Sequence, residues 1–149
     1  MEKLHLYLVR HCESLGNREN IFQGQLDLDI SATGEKQLAL LALRFRNIPI
    51  DAVYSSPLTR AYKTAEAVDL YHSLPIIKLP ELMEVDVGAL SGMKLDKAFA
   101  DYPVFAEKWQ NSPQNCIFPE GETTAEVYDR AKKALARVKA DCMGKTAVI

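Results

Sequence analysis

Leu4-His5-Leu6-Tyr7-Leu8-Val9-Arg10-His11 is the stretch from which the rest of the chain is read. Leu6 to Val9 run without a charge, the pattern of a strand buried on both faces. The strand ends abruptly in Arg10-His11-Cys12-Glu13-Ser14. In open α/β sheets ligands bind just beyond the carboxyl ends of the strands, so an arginine and a histidine delivered there point to a site.

Outward from this strand, strand and helix patterns alternate. Residues 12–30 form a polar loop with Gly16, Asn17, Asn20, Gly24, Asp27 and Asp29. Ser31 reads as an N-cap, and Leu38, Leu41, Ala42 and Phe45 give the stripe of a helix buried on one side. Asp51 to Ser55 is a second strand. Ser56-Pro57 opens a helix whose small face is Ala61, Thr64, Ala65 and Val68. Leu74 to Leu79 is a third strand, which Pro75 confines to a short or edge position. A second loop over 80–93 holds Glu81, Glu84, Asp86, Gly88 and Gly92. Helical spacing returns over Leu95–Tyr102 and Phe105–Trp109. Thr123 and Glu126 form a capping box. The helix they open turns Val127, Ala131, Ala134, Leu135 and Val138 to the core, with Arg130 and its other basic residues mostly outward. A last strand begins at Lys145. This order predicts α/β: a three-layer α/β/α sandwich on a mainly parallel sheet.

Composition sets the bounds. The 149 residues are 48% apolar and 26% charged, with net charge −2, which suits a single domain with a real core. Without a basic excess, neither nucleic acid nor an anionic membrane is an expected partner. The start does not read as a signal peptide, and no apolar run approaches the ~20 residues of a membrane span. Cys12, Cys116 and Cys142 are odd in number and far apart, which fits reduced thiols in the cytoplasm better than disulfides or a metal site. The apolar stop at Thr146-Ala147-Val148-Ile149 predicts that residues 1–149 are one domain truncated at its C-terminus.

Leu8-Val9-Arg10-His11-Cys12-Glu13-Ser14 with Asn17 resembles the signature of the histidine phosphatase superfamily, the phosphoglycerate mutase-like proteins. Ser55-Ser56-Pro57-Leu58-Thr59-Arg60 follows in the family's order, then Glu84-Val85-Asp86-Val87-Gly88 with Gly92, and then Phe118-Pro119-Glu120-Gly121-Glu122-Thr123. The resemblance covers nearly the whole chain. It implies that His11 is a nucleophile forming a phosphohistidine, that Arg10 and Arg60 clamp the phosphoryl oxygens, and that Glu84 is the proton donor. It also makes Asn17, Ser14, Gln23 and Glu122 substrate-binding candidates, with Glu122 hydrogen-bonding near the phosphate arginines. Each residue type suits its role. Neutral imidazole offers a lone pair, guanidinium matches phosphate oxygens, and a carboxyl protonates a leaving alkoxide. Aside from the motif, Arg60 reads first as a solvated helix residue, and Glu122 reads equally as a first-turn carboxylate.

Two departures stand out. Cys12 occupies the family's usual glycine position, which puts the backbone angle there in question. The family's second catalytic histidine has no counterpart up to Ile149, since His5 and His72 match nothing; an incomplete site, with weak or absent turnover, is expected of this exact chain. The interval from Glu84 to Pro119 is only 35 positions, which favours a small phosphatase over a mutase. The substrate class expected is a small sugar- or nucleotide-type phosphomonoester, with α-ribazole phosphate as one example. A bisphosphoglycerate-dependent phosphoglycerate mutase and an inactive phosphate-binding or interaction protein are the alternatives. No metal or other cofactor is implied, and a homo-oligomer remains open.

Overall fold

The computed structural model describes residues 2–149. Four strands, β1 (His5–Tyr7), β2 (Ala52–Ser55), β3 (Ile76–Lys78) and β4 (Thr146–Val148), form one sheet in the order β1-β4-β2-β3. All three pairings are parallel, with Leu6 opposite Ala147 and Val53 opposite both Val148 and Ile76. The helices are α1 (Leu15–Arg18), α2 (Ala32–Phe45), α3 (Thr59–Asp69), α4 (Leu95–Asp101), α5 (Pro103–Asn111) and α6 (Thr124–Asp141).

Strand periodicity explains the layers. Val53 and Val148 point to one face, where Phe45 of α2 and Ala65 and Val68 of α3 bury them. Their neighbours Tyr54 and Ala147 point to the other, against Ala134 and Val138 of α6. This is the expected α/β/α arrangement. A third apolar cluster lies outside the sheet: Phe22, Val87, Leu90, Ala98, Phe105 and Phe118 join two loops to α4 and α5. Phe22 meets Phe99, Phe105 and Trp109 edge-on, at centroid distances of 5.9, 5.8 and 6.1 Å.

Three readings change. β1 is not buried on both faces. Among the described residues its sheet partner is β4 alone, and Leu8 just beyond it is 77% exposed. Hydropathy records that a strand is apolar, not how many neighbours it has. Next, α3 starts at Thr59 rather than Ser56, and its N-cap Leu58 makes no side-chain cap bond. The cap comes from the polar loop instead: Asp27 accepts from Thr59 N at 2.7 Å and from its hydroxyl at 2.9 Å. Finally, Arg130 turns inward toward the 81–84 loop. The local caps form as read, with Ser31 Oγ accepting from Gly34 N at 3.0 Å and Thr123 and Glu126 closing a capping box.

Candidate active site

The parallel register aligns the carboxyl ends of β1, β4 and β2. Val9 N donates to Ile149 O at 2.8 Å, and Ile149 N donates to Tyr7 O at 2.9 Å. Just past these ends is a cavity of about 440 Å³ lined by Arg10, His11, Ser55, Ser56, Thr64 and Ile149, among others. An adjoining hollow of about 310 Å³ is lined by Arg10, His11, Cys12, Glu13, Asn17 and Gln37.

His11 is half-buried, and its Nδ1 lies 2.6 Å from the carbonyl oxygen of Cys12. A carbonyl only accepts, so Nδ1 carries the proton and Nε2 keeps its lone pair. Burial is the first cause that lowers the His11 pKa below its ordinary value. The backbone bond to Cys12 and the charge of Glu84 oppose it, while the charges of Arg60 and Arg10 lower it further. The ring is therefore held neutral at neutral pH, as a nitrogen nucleophile must be.

Cys12 takes its non-glycine place without strain. The non-glycine residues at positive φ are Asn20, Ser73 and Glu120 among the described residues. Cys12 N donates to Thr64 Oγ1 at 3.0 Å, and Thr64 Oγ1 donates to Arg60 O at 2.7 Å, which pins the turn after His11 to α3. Burial pushes the Cys12 thiol pKa up, away from a reactive thiolate.

Arg60 is 1% exposed, so it is not a solvated helix residue. Its Nη1 and Nη2 donate to the carbonyls of Leu26 at 3.1 Å and Gly24 at 2.7 Å. Burial lowers its pKa, with Glu84 and Asp27 pulling it back up. The charge of Glu84 thus bears on both His11 and Arg60, while Arg10 and His11 line the cavity and neither Arg60 nor Glu84 does. The Glu84 carboxylate is exposed and accepts from its own Val85 N at 3.1 Å.

The substrate-binding candidates divide. Asn17 lines the hollow beside His11, and its Oδ1 accepts from Ser14 N at 3.0 Å, which leaves the amide nitrogen for the hollow. Ser14 is fully buried as the N-cap of α1, and its hydroxyl is 2.7 Å from Gln23 Oε1. Gln23 is buried with it, packed where Gly16 has no side chain. Ser14 and Gln23 therefore shape the loop from beneath. Glu122 is not at the phosphate arginines. It pairs with Arg130, with Nε to Oε1 at 2.8 Å, and accepts from Asp86 N at 2.8 Å. These contacts, the Arg130 bond first, hold its pKa below the usual carboxylate value.

Two residues that matter were not singled out as site residues from the sequence, Asp27 and Arg130. Both act across long sequence separations. Of the aromatic residues in and between α4 and α5, Phe99, Tyr102 and Phe105 pack in the third core cluster. Trp109 is 40% exposed, and it lines an apolar cavity of about 340 Å³ together with Glu84, Val85, Phe118 and Val127. His5 and His72 line none of the cavities around His11.

Residues 6–149 match the histidine phosphatase superfamily, branch 1. The chain belongs to that superfamily. Among its histidine phosphatase relatives, phosphoserine phosphatase 1 of Hydrogenobacter thermophilus is 38% identical over 144 residues, which are 97% of this chain and 68% of the relative. The probable phosphoglycerate mutase GpmB of Erwinia tasmaniensis is 33% identical over 132 residues, 89% of this chain and 61% of that one. Among solved structures, Bacillus stearothermophilus YhfR matches with a TM-score of 0.92 at 28% identity, over 98% of this chain and 72% of that one. The alpha-ribazole phosphatase from Shigella flexneri matches with a TM-score of 0.85 at 25% identity, over 96% and 71%. The chain thus spans 61–68% of the length of the curated relatives compared. No described helix is long and apolar enough to cross a membrane.

Proposed function

We propose that this chain carries the phosphoryl-accepting site of a phosphatase acting on small phosphomonoesters through a phosphohistidine. The observation that carries the reading is His11: a half-buried imidazole, its Nδ1–H committed to Cys12 O, its pKa lowered, beside Arg10 and Arg60. In the first step Nε2 forms a bond to phosphorus, the bond from phosphorus to the ester oxygen breaks, and that oxygen takes a proton from the Glu84 carboxyl. In the second, water attacks phosphorus, gives a proton to the Glu84 carboxylate, and the N–P bond breaks to release inorganic phosphate. Arg10 and Arg60 neutralise the equatorial oxygens and fix the line of attack, with Asn17 as an uncharged donor. No step draws on a metal.

The compact 84–119 interval and the 38% identity to a phosphoserine phosphatase favour hydrolysis over mutase chemistry. The apolar cavity of Trp109, Val85, Phe118 and Val127 beside Glu84 supports an ester whose leaving group has a flat or apolar part. The nucleoside-like α-ribazole phosphate is such an ester. A phosphoglycerate mutase is the second reading, on the 33% identity to GpmB.

The test is acid-labile phosphohistidine, trapped by rapid base quench and detected by phosphorus NMR, alongside inorganic phosphate release from phosphoserine, aryl phosphates and α-ribazole phosphate. The expected result is label on His11 and phosphate release, both abolished by His11→Ala. Bisphosphoglycerate-stimulated interconversion of phosphoglycerates would establish the mutase instead. A folded chain that binds phosphate without ever becoming labelled would make it a binding protein.

A further inference from the structure

The 83–87 segment carries Glu84 but belongs to no helix or strand. Its main chain must be held by something else, since the proton donor of a phosphoryl transfer has to be placed to within a fraction of an ångström. Arg130, on the second turn of α6, engages all five of its N–H donors there. Nε and one Nη2 proton take the two carboxylate oxygens of Glu122, both at 2.8 Å. Nη1 donates to the carbonyls of Glu81, at 2.9 Å, and Met83. The remaining Nη2 proton donates to the carbonyl of Glu84 itself, at 3.0 Å.

Glu122 completes the brace. Its Oε2 accepts from Asp86 N at 2.8 Å, and its own N–H donates to Asp86 O at 2.9 Å. The Arg130–Glu122 pair is mostly shielded, with side chains 17% and 23% exposed. Residues 81–86 are therefore pinned on both sides of Glu84. A planar guanidinium with five divergent donors can hold two carboxylate oxygens and three carbonyls at once. A lysine ammonium, with three donors on one atom, cannot.

We propose that Arg130, locked by Glu122, is the positioning residue that sets Glu84 as proton donor. This rests on the phosphatase reading, in which Glu84 protonates the leaving oxygen. The consequence is a dependence on the leaving group. An alkyl ester leaves as a strongly basic alkoxide and needs the proton; a nitrophenyl ester leaves as a stable phenolate and barely does. General acid catalysis contributes about 10²–10⁴-fold. Arg130→Lys should thus lower kcat/KM for an alkyl phosphate such as phosphoserine by about 30-fold or more, and for p-nitrophenyl phosphate by less than about threefold.

The experiment measures kcat/KM, which reports the first phosphoryl transfer, for both esters in wild type, R130K, E122Q, E84Q and the R130K/E84Q double variant. Circular dichroism checks folding, and E122Q carries the same comparison where R130K fails to fold. The expected pattern is a selective loss on phosphoserine in R130K and E122Q, with the double variant no slower than E84Q, because two residues acting through one proton are not additive. Equal losses on both esters, or additive losses in the double variant, would make Arg130 a structural residue only and overturn the proposal. An E84Q variant with no leaving-group preference while His11→Ala is dead would remove Glu84 as the acid, and the positioning role with it. A folded wild-type chain that turns over neither ester and leaves no phosphoryl group on His11 would overturn the phosphatase reading itself.

Discussion

Removing the Asp27 carboxylate should destabilise the chain by about 1–2 kcal/mol, although Asp27 is an exposed loop residue. The reason is α3, whose own N-cap Leu58 offers no side-chain acceptor. Asp27, 32 residues earlier, takes the Thr59 N–H and hydroxyl in its place. Losing an N-cap costs about 1 kcal/mol, and an anion at a helix N-terminus adds about 0.3–1 kcal/mol. For a chain of this size each kcal/mol lowers Tm by roughly 2–4 °C, so Asp27→Ala should melt about 2–8 °C lower. Asp29→Ala is the matched comparison, because its partner is the surface ion pair to Lys63 at 2.6 Å, with side chains 56% and 38% exposed. Such a pair contributes little once both charges are in water. Urea unfolding followed by circular dichroism and by the fluorescence of Trp109, the single tryptophan, reads both. A midpoint that moves for Asp27→Ala and stays for Asp29→Ala, at unchanged slope, is the expected result. Equal midpoints for the two variants would refute the capping argument, since only one of these acids meets a helix terminus.

The pH dependence follows from His11, whose pKa lies below its ordinary 6.5. Only the neutral ring attacks phosphorus, so the acid limb of kcat/KM should fall below pH 6.5, and Arg60→Gln should move it upward by removing a nearby positive charge and admitting water; NMR titration of the ring gives the same value without turnover. Stability has the matching sign: below pH 6.5 the unfolded chain holds a proton that folded His11 refuses, so folding weakens as pH falls toward the folded pKa, and His11→Asn should flatten that slope in urea midpoints taken across the window. At Gly88, φ is +53° and a Cβ would run into the carbonyl of Pro119, so Gly88→Ala should cost about 1–3 kcal/mol in denaturation and slow alkyl ester turnover by shifting the loop that carries Glu84. A Gly88→Ala chain as stable and active as wild type would show that the two loops need not touch.

What could be read along the chain was mostly what acts over short range. Ser31, the Thr123–Glu126 capping box and the second strand before Ser56 all work within a few residues, and each forms as read. Arg130 shows where that reasoning stops. Its helical position among outward-facing basic residues marks it as solvated, yet its partners are carbonyls 46–49 residues earlier and a carboxylate eight residues before it. Periodicity names the face of a helix but not what lies against that face. Ser14 and Gln23 err in the opposite direction. The resemblance made them substrate-binding candidates, while the Ser14 hydroxyl donates to Gln23 Oε1 beneath the loop.

The sequence by itself determined the fold class, the family and the order of the phosphate-site residues, because strand and helix periods and an ordered set of motifs are written along one dimension. Tertiary structure alone decided which of those residues meet. It placed Arg60 inside rather than in solvent, gave α3 a cap from Asp27, and moved Glu122 from the phosphate arginines to Arg130. The physical reason is the same in each case. A buried polar group must find a partner, and the partner is chosen by proximity in space, which no local pattern records.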